Sequence, residues 1–170
     1  FCNSKLGYSL INSQPKLYRY DLIWEKSKQT FLNCNKSPLR KHELIYMFNK
    51  NKPTYNPQKT TGHKQYSFGL RPKKSELYKC TIHKEPKSDK TERFPTSILK
   101  FNNENRTIHP TQKPIKLLEF LIKSYSNMGD VVCDFCMGSG STGIACINTE
   151  RLFIGVEKDT EIFKKALMKN

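Results

Sequence analysis

From Ile108 onward, short apolar runs alternate with apolar positions at helical spacing. Ile115, Leu118, Ile122 and Tyr125 recur every three or four residues. That predicts a helix capped by Thr111, with Pro114 in its first turn and Asn127–Gly129 at its end. Val131–Phe135 predicts a short strand, Met137–Gly140 a turn and Ser141–Asn148 a helix of small residues. Leu152–Val156 predicts another strand, and Asp159–Met168 a helix capped by Asp159 or Thr160. Strand, helix, strand, helix at this spacing predicts a parallel, right-handed crossover.

The first hundred residues are less regular. Leu17–Trp24 (L-Y-R-Y-D-L-I-W) and His42–Phe48 (H-E-L-I-Y-M-F) predict two strands. Between them, Glu25–Lys41 carries Lys, Asn, Ser and Pro38 with little periodicity and is expected to be a loop. Asn49–Arg93 holds Pro53, Pro57, Pro72, Pro86, Gly62, Gly69 and many lysines, which predicts an irregular basic region with at most short strands. No internal repeat is visible.

Composition narrows the class. The chain has 170 residues, 36% of them hydrophobic, with 10 Phe, 8 Tyr and 1 Trp, enough for a core; collagen-like and wholly disordered classes are excluded. No stretch approaches the roughly 18 to 20 apolar residues that cross a bilayer, and Phe1–Leu10 has no apolar signal-peptide core. The expectation is a soluble, unsecreted, cytoplasmic protein with no membrane partner. The chain opens on Phe1 rather than Met, which suggests a processed, truncated or partial sequence.

The net charge of +15 is unevenly placed. Residues 1–100 carry 21 Lys and Arg against 7 Asp and Glu, whereas residues 101–170 carry 9 against 8. A field of that sign favours a polyanion, because each lysine or arginine set on a phosphate releases condensed counterions. Aromatics interleave with the basic residues, as in Tyr18-Arg19-Tyr20 and Tyr46 to Lys52, a composition suited to base stacking beside phosphate contacts.

The densest chemistry is Asp134-Phe135-Cys136-Met137-Gly138-Ser139-Gly140-Ser141-Thr142-Gly143, followed after one helix and one strand by Glu157. A strand ending in an acid, glycines that admit a ligand close to the backbone, and then a helix N-terminus form a nucleotide-type site in a doubly wound sheet. An acid closing the next strand accepts hydrogen bonds from ribose hydroxyls. A phosphate-binding P-loop is excluded, since the turn contains no lysine. The Gly138, Gly140, Gly143 spacing also satisfies the dinucleotide pattern, so a nicotinamide cofactor stays open on glycines alone. Cys133 and Cys136 form a Cys-x-x-Cys, but the first lies in a predicted strand and no further ligands share a metal spacing, so neither a redox nor a zinc site is expected; metal ligands are none.

One further block decides among these. His109-Pro110-Thr111-Gln112-Lys113-Pro114, then a helix, then the strand and Asp134 to Gly143, resembles the S-adenosylmethionine site of the beta group of DNA amino-methyltransferases. These enzymes methylate adenine at N6 or cytosine at N4. In that family the three matching blocks are motif X (His109 to Pro114), motif I (Asp134 to Gly143) and motif II (Glu157). The likeness is close over residues 94–163. Tyr20 to Gln58, with Y-D-L-I-W-E-K, P-L-R-K-H-E-L-I-Y-M-F and P-T-Y-N-P-Q, is similar to the family's middle region.

The resemblance implies an incomplete Rossmann-like α/β sheet with Glu25–Lys41 and Asn49–Arg93 as basic insertions near DNA. Residues 1–100 would be the basic part with the middle strands and target-recognition loops, and residues 101–170 the S-adenosylmethionine-binding part. The implied cofactor-binding set is His109, Thr111, Lys113, Asp134, Phe135, Cys136, Gly138, Gly140, Ser141, Thr142, Glu157 and Lys158. Thr111 and Lys113 would meet the methionine end, Asp134 its amino group and Glu157 the ribose, while Gly138 and Gly140 would admit the cofactor's approach.

The family's catalytic segment, Asp/Asn/Ser-Pro-Pro-aromatic or motif IV, has no counterpart here, because the chain contains no Pro-Pro pair. Catalytic residues are therefore expected to be none in this chain, and the chain alone is expected to transfer no methyl group. The implied activity is methylation of adenine N6 in duplex DNA within a restriction-modification system. Cytosine-N4 methylation and a non-catalytic DNA-binding remnant are the alternatives. The implied partners are duplex DNA, a restriction endonuclease, an N-terminal portion carrying motif IV, and a second copy in a homodimer.

Overall fold

The computed structural model describes residues 1–29, 31, 33–65, 91–104 and 112–168. Chain order is α1 (Ser4–Ser13), β1 (Tyr18–Lys26), β2 (His42–Phe48), β3 (Ile98–Phe101), α2 (Ile115–Tyr125), β4 (Val131–Asp134), α3 (Ser141–Asn148), β5 (Leu152–Gly155) and α4 (Thr160–Leu167). Contacts divide it into one unit of residues 1–56 with 96–170 and another of residues 57–95. Within the smaller unit, Thr60 and Arg93 form an antiparallel bridge and Lys59 lies 2.7 Å from Glu92. Of the predicted irregular region Asn49–Arg93, residues 66–90 lie outside the described residues.

The α/β architecture is as expected, with its strands in two hydrogen-bonded pieces. In the first, β1 lies between β2 and β3, antiparallel to β2 and parallel to β3. Leu22 pairs with Ile45 and Trp24 with Leu99, so bulky apolar side chains stack on one face. The indole N–H of Trp24 donates to the Phe101 carbonyl at 2.9 Å, satisfying its one polar atom in an otherwise buried ring. In the second piece, β4 and β5 run parallel with Cys133 opposite Ile154, connected through α3, as the predicted crossover requires.

Helix α2 belongs to both pieces. Leu117, with Phe120 and Leu121 beside it, packs against Leu22, Trp24, Ile45 and Leu99. Leu118 and Ile122 pack against Ala145 and Cys146 of α3, with Val132 and Phe153 alongside. Both termini are held by distant residues. Pro114 at the N-cap has no capping side chain, and the Ile115 N–H donates instead to Glu104 Oε1 at 3.1 Å. At the other end, Asn56 Nδ2 donates to the Lys123 and Ser126 carbonyls at 3.3 and 3.1 Å.

Two elements were not predicted. Helix α1 is capped by Asn3, whose Oδ1 accepts the Leu6 N–H at 2.9 Å, and Gly7 lets the Tyr46 ring of β2 lie directly on the helix backbone. Strand β3 spans only four residues. Helix α4 does start at the predicted cap, Asp159, whose carboxylate accepts the N–H groups of Glu161 and Ile162.

Candidate cofactor site

The carboxyl ends of β4 and β5 open into a cleft of about 800 Å³. Its floor is the turn from Asp134 to Ser141, and its walls come from α1, β2, the entry to α2, and the start of α4. A cleft at strand ends beside a crossover is where open α/β sheets place ligands.

Local bonding shapes the turn. Asp134 closes β4; its Oδ1 accepts the Cys136 N–H at 3.0 Å and its Oδ2 accepts the Thr142 hydroxyl at 2.6 Å. The acid thus fastens the turn to the first residues of α3. Gly138 (φ +52°) and Gly140 (φ +71°) adopt the left-handed backbone that side chains with a Cβ disfavour. A Cβ built on Gly138 would meet nothing within 4 Å, so this part of the backbone faces open space. Gly140 instead turns toward α4, where its Cβ would lie 3.4 Å from that of Ala166.

Glu157, two residues beyond β5, reaches back across the turn. Its Oε2 accepts the Gly138 N–H at 2.9 Å and its Oε1 accepts the Asp159 N–H at 3.0 Å. These backbone bonds, from Asp159 first and then Gly138, hold its carboxyl below the usual glutamate value. The carboxylate keeps acceptor capacity for a ligand hydroxyl.

Lys113 lines the cleft opposite the turn, with its ammonium 3.3 Å from Glu43 Oε2 of β2 and 5.3 Å from the centroid of the Phe1 ring. Glu43 also holds Lys26 of β1, at 2.5 Å. Burial alone would raise the Glu43 carboxyl; the Lys26 hydrogen bond and the Lys113 charge outweigh it and hold the group ionised below its usual range.

Of the residues singled out from sequence, Lys113, Asp134, Phe135, Cys136, Gly138, Ser141, Thr142 and Glu157 all line this one cleft. Gly140 shapes the turn from behind, and Lys158 is exposed without lining the cleft. His109 and Thr111 lie outside the described residues. Phe135 is 78% exposed, which places it at the rim rather than in a core. Sequence reasoning missed the wall made by Phe1, Leu6, Leu10, Tyr46 and Phe48, whose approach depends on how α1 lies on β2. Cys133 and Cys136 are free thiols, and no group of His, Cys, Asp and Glu fit for a metal occurs among the described residues.

Residues 6–168 match the profile of a known family described as DNA methylase. The chain belongs to that family. Among relatives of this chain, the Type II methyltransferase M.BglII of Bacillus subtilis is 33% identical over 162 residues, covering 91% of this chain and 42% of that protein. The DNA adenine methyltransferase YhdJ of Escherichia coli (strain K12) is 48% identical over 59 residues, covering 35% of this chain and 20% of that protein. The chain therefore spans less than half the length of these relatives. Among solved structures, the M1.HpyAVI-SAM complex superposes with a TM-score of 0.67 at 25% identity, covering 100% of this chain and 72% of that one. The cytosine-N4-specific PvuII DNA methyltransferase shares the fold with a TM-score of 0.64 at 15% identity.

Proposed function

We propose that this methylase chain is the S-adenosylmethionine-binding part of a DNA amino-methyltransferase that modifies adenine N6. The observation that carries the reading is the convergence of Asp134, Gly138, Glu157 and Lys113 on one cleft. The residues suit that cofactor. Roughly 300 to 1,000 Å³ is usual for a small-molecule site, and this cleft lies within that range. Two carboxylates against one ammonium suit a ligand that carries a sulfonium, an ammonium and a carboxylate. The open space over Gly138 admits a ligand against the backbone.

When bound, S-adenosylmethionine supplies an electrophilic methyl group on sulfur. Glu157 would grip the ribose through its spare acceptor capacity, Asp134 would accept from the ammonium, and Lys113 would face the carboxylate. Gly140, Ser141 and Thr142 would keep the turn in register with α3, and Phe135 and Cys136 would rim the opening. Leu6, Leu10, Leu118 and Ile162 would shed water from the cleft, so orientation rather than acid-base chemistry lowers the barrier. His109 and Thr111 complete the proposed set, whereas Lys158, which does not line the cleft, is left out of it.

The substrate part of the reading rests on the basic character of residues 1–100 and on the adenine-specific relative. In the family this chain resembles, presentation of an extruded base falls to a Pro-Pro-aromatic segment, and these 170 residues contain no Pro-Pro pair. We therefore assign that step to a partner portion carrying motif IV, with a restriction endonuclease as the functional counterpart and a homodimer as the further arrangement. No helix among the described residues is long and apolar enough to cross a membrane, and a cytoplasmic setting suits a DNA substrate.

Calorimetry with S-adenosylhomocysteine and with NADH tests the cofactor assignment: heat with the first and none with the second is expected, and the reverse would overturn it. Radiolabelled methyl transfer to duplex DNA is expected to be absent for this chain alone; turnover would show that the chain needs no partner.

A further inference from the structure

A residue outside the motif blocks enters through Lys113. Among the described side chains that line the cleft, Lys113 is the one cationic one, and it precedes α2 rather than being part of it. A lysine on such a stretch has four rotatable bonds to order. Here the ordering comes from the sheet: Glu43 of β2 sets Oε2 at 3.3 Å from Lys113 and Oε1 at 2.5 Å from Lys26 of β1. The side chains of Lys113 and Glu43 are only 20% and 25% exposed, so the contact is partly shielded from water. Aromatic rings flank both ammoniums, Phe1 beside Lys113 and Trp24 beside Lys26, each with its centroid 5.3 Å away. One carboxylate thus serves two ammoniums, and Glu43 ties Lys113 to the sheet through β2.

We propose that Glu43 is a positioning residue, holding the Lys113 ammonium where it receives the carboxylate at the amino-acid end of the nucleoside ligand. This inference rests on the cofactor reading above and adds a specificity element to it. Glu43 touches no ligand; it acts through Lys113 and discriminates ligands that carry the amino-acid end from those that lack it.

Calorimetric titration of the full chain with two nucleosides tests this. S-adenosylhomocysteine carries the carboxylate and 5′-methylthioadenosine does not. Glu43→Gln is expected to weaken the first by about fivefold, the scale of a partly exposed ion pair, and to leave the second unchanged. In a Lys113→Met background the same substitution is expected to have no further effect, because its route is gone. Glu43→Asp, which keeps the charge, is expected to recover part of the loss and serves if the Gln variant folds poorly. Equal weakening of both nucleosides, or an undiminished effect without Lys113, would assign Glu43 a purely structural role and overturn the proposal. Failure of the unsubstituted chain to bind either nucleoside would overturn the cofactor reading itself, and this inference with it.

Discussion

Replacing Asp134 separates a residue that shapes the turn from one that also meets the ligand. Its two oxygens hold the Cys136 N–H at 3.0 Å and the Thr142 hydroxyl at 2.6 Å. Asp134→Ala removes both acceptors, although water can replace them because Cys136 is exposed and the site only half-buried. Net values of about 0.5–1.5 kcal/mol per bond give a loss of roughly 1–3 kcal/mol. For a domain of this size that lowers the melting temperature by roughly 2–12 °C. Asp134→Asn retains both bonds: its carbonyl accepts from Cys136 and its amide donates to the Thr142 oxygen. Its stability should therefore fall by only about 1 kcal/mol or less. It cannot, however, offer a charged acceptor to a ligand ammonium. Thermal melts with calorimetry against S-adenosylhomocysteine check the pair. The expected outcome is a near-native melt for the Asn variant with binding weakened at least tenfold, and no measurable binding for the Ala variant. If the Asn variant binds as the unsubstituted chain does, Asp134 serves the turn alone and its cofactor role is refuted.

Two further outcomes test other parts of the cleft. Gly138→Ala meets no steric contact but imposes a Cβ at φ +52°, so a cost of about 1–2 kcal/mol in a melt should accompany loss of nucleoside binding; retained binding would show that the ligand does not approach this backbone. Stability should also fall at both extremes of pH. The carboxyls of Glu43, Glu119 and Glu157 are lower in the folded chain than the usual 4.5, so their contribution is present above that value and lost as pH falls through the lower folded values. The Tyr125 hydroxyl is raised above 10.0 by burial and then by its bond with Tyr20, so its contribution is present below pH 10.0 and lost as pH rises beyond it. A pH series of melts that stayed flat to either side would contradict this assignment.

How far the structure could be read from residues alone varies with the range of the forces. His42–Phe48 and Ser141–Asn148 form with the bounds their patterns predict, because a short apolar run, the left-handed glycine and small residues act locally. The turn at Asp134 was legible for the same reason. Helix α1 was not: it is short, and Gly7 in its middle argues against a helix until Tyr46 lies on it. Of the stripe Ile115, Leu118, Ile122, Tyr125, the first three form one face of α2, while Tyr125 falls with Leu117, Phe120 and Leu121 on a second that spacing alone does not separate. Glu43 and Lys113 stand seventy positions apart, and their pairing follows only from the stacking of β2 beside the approach to α2.

That double-faced helix has a thermodynamic consequence. It is a party wall: the stacked side chains of Trp24 and Leu99 lean on it from one room, those of Ala145 and Cys146 from the other. Neither room can empty while the other stays furnished, so heating should dismantle both in one cooperative step. A small molecule bound at the doorway beside Lys113 would steady the whole house, raising a single melting transition as its concentration grows.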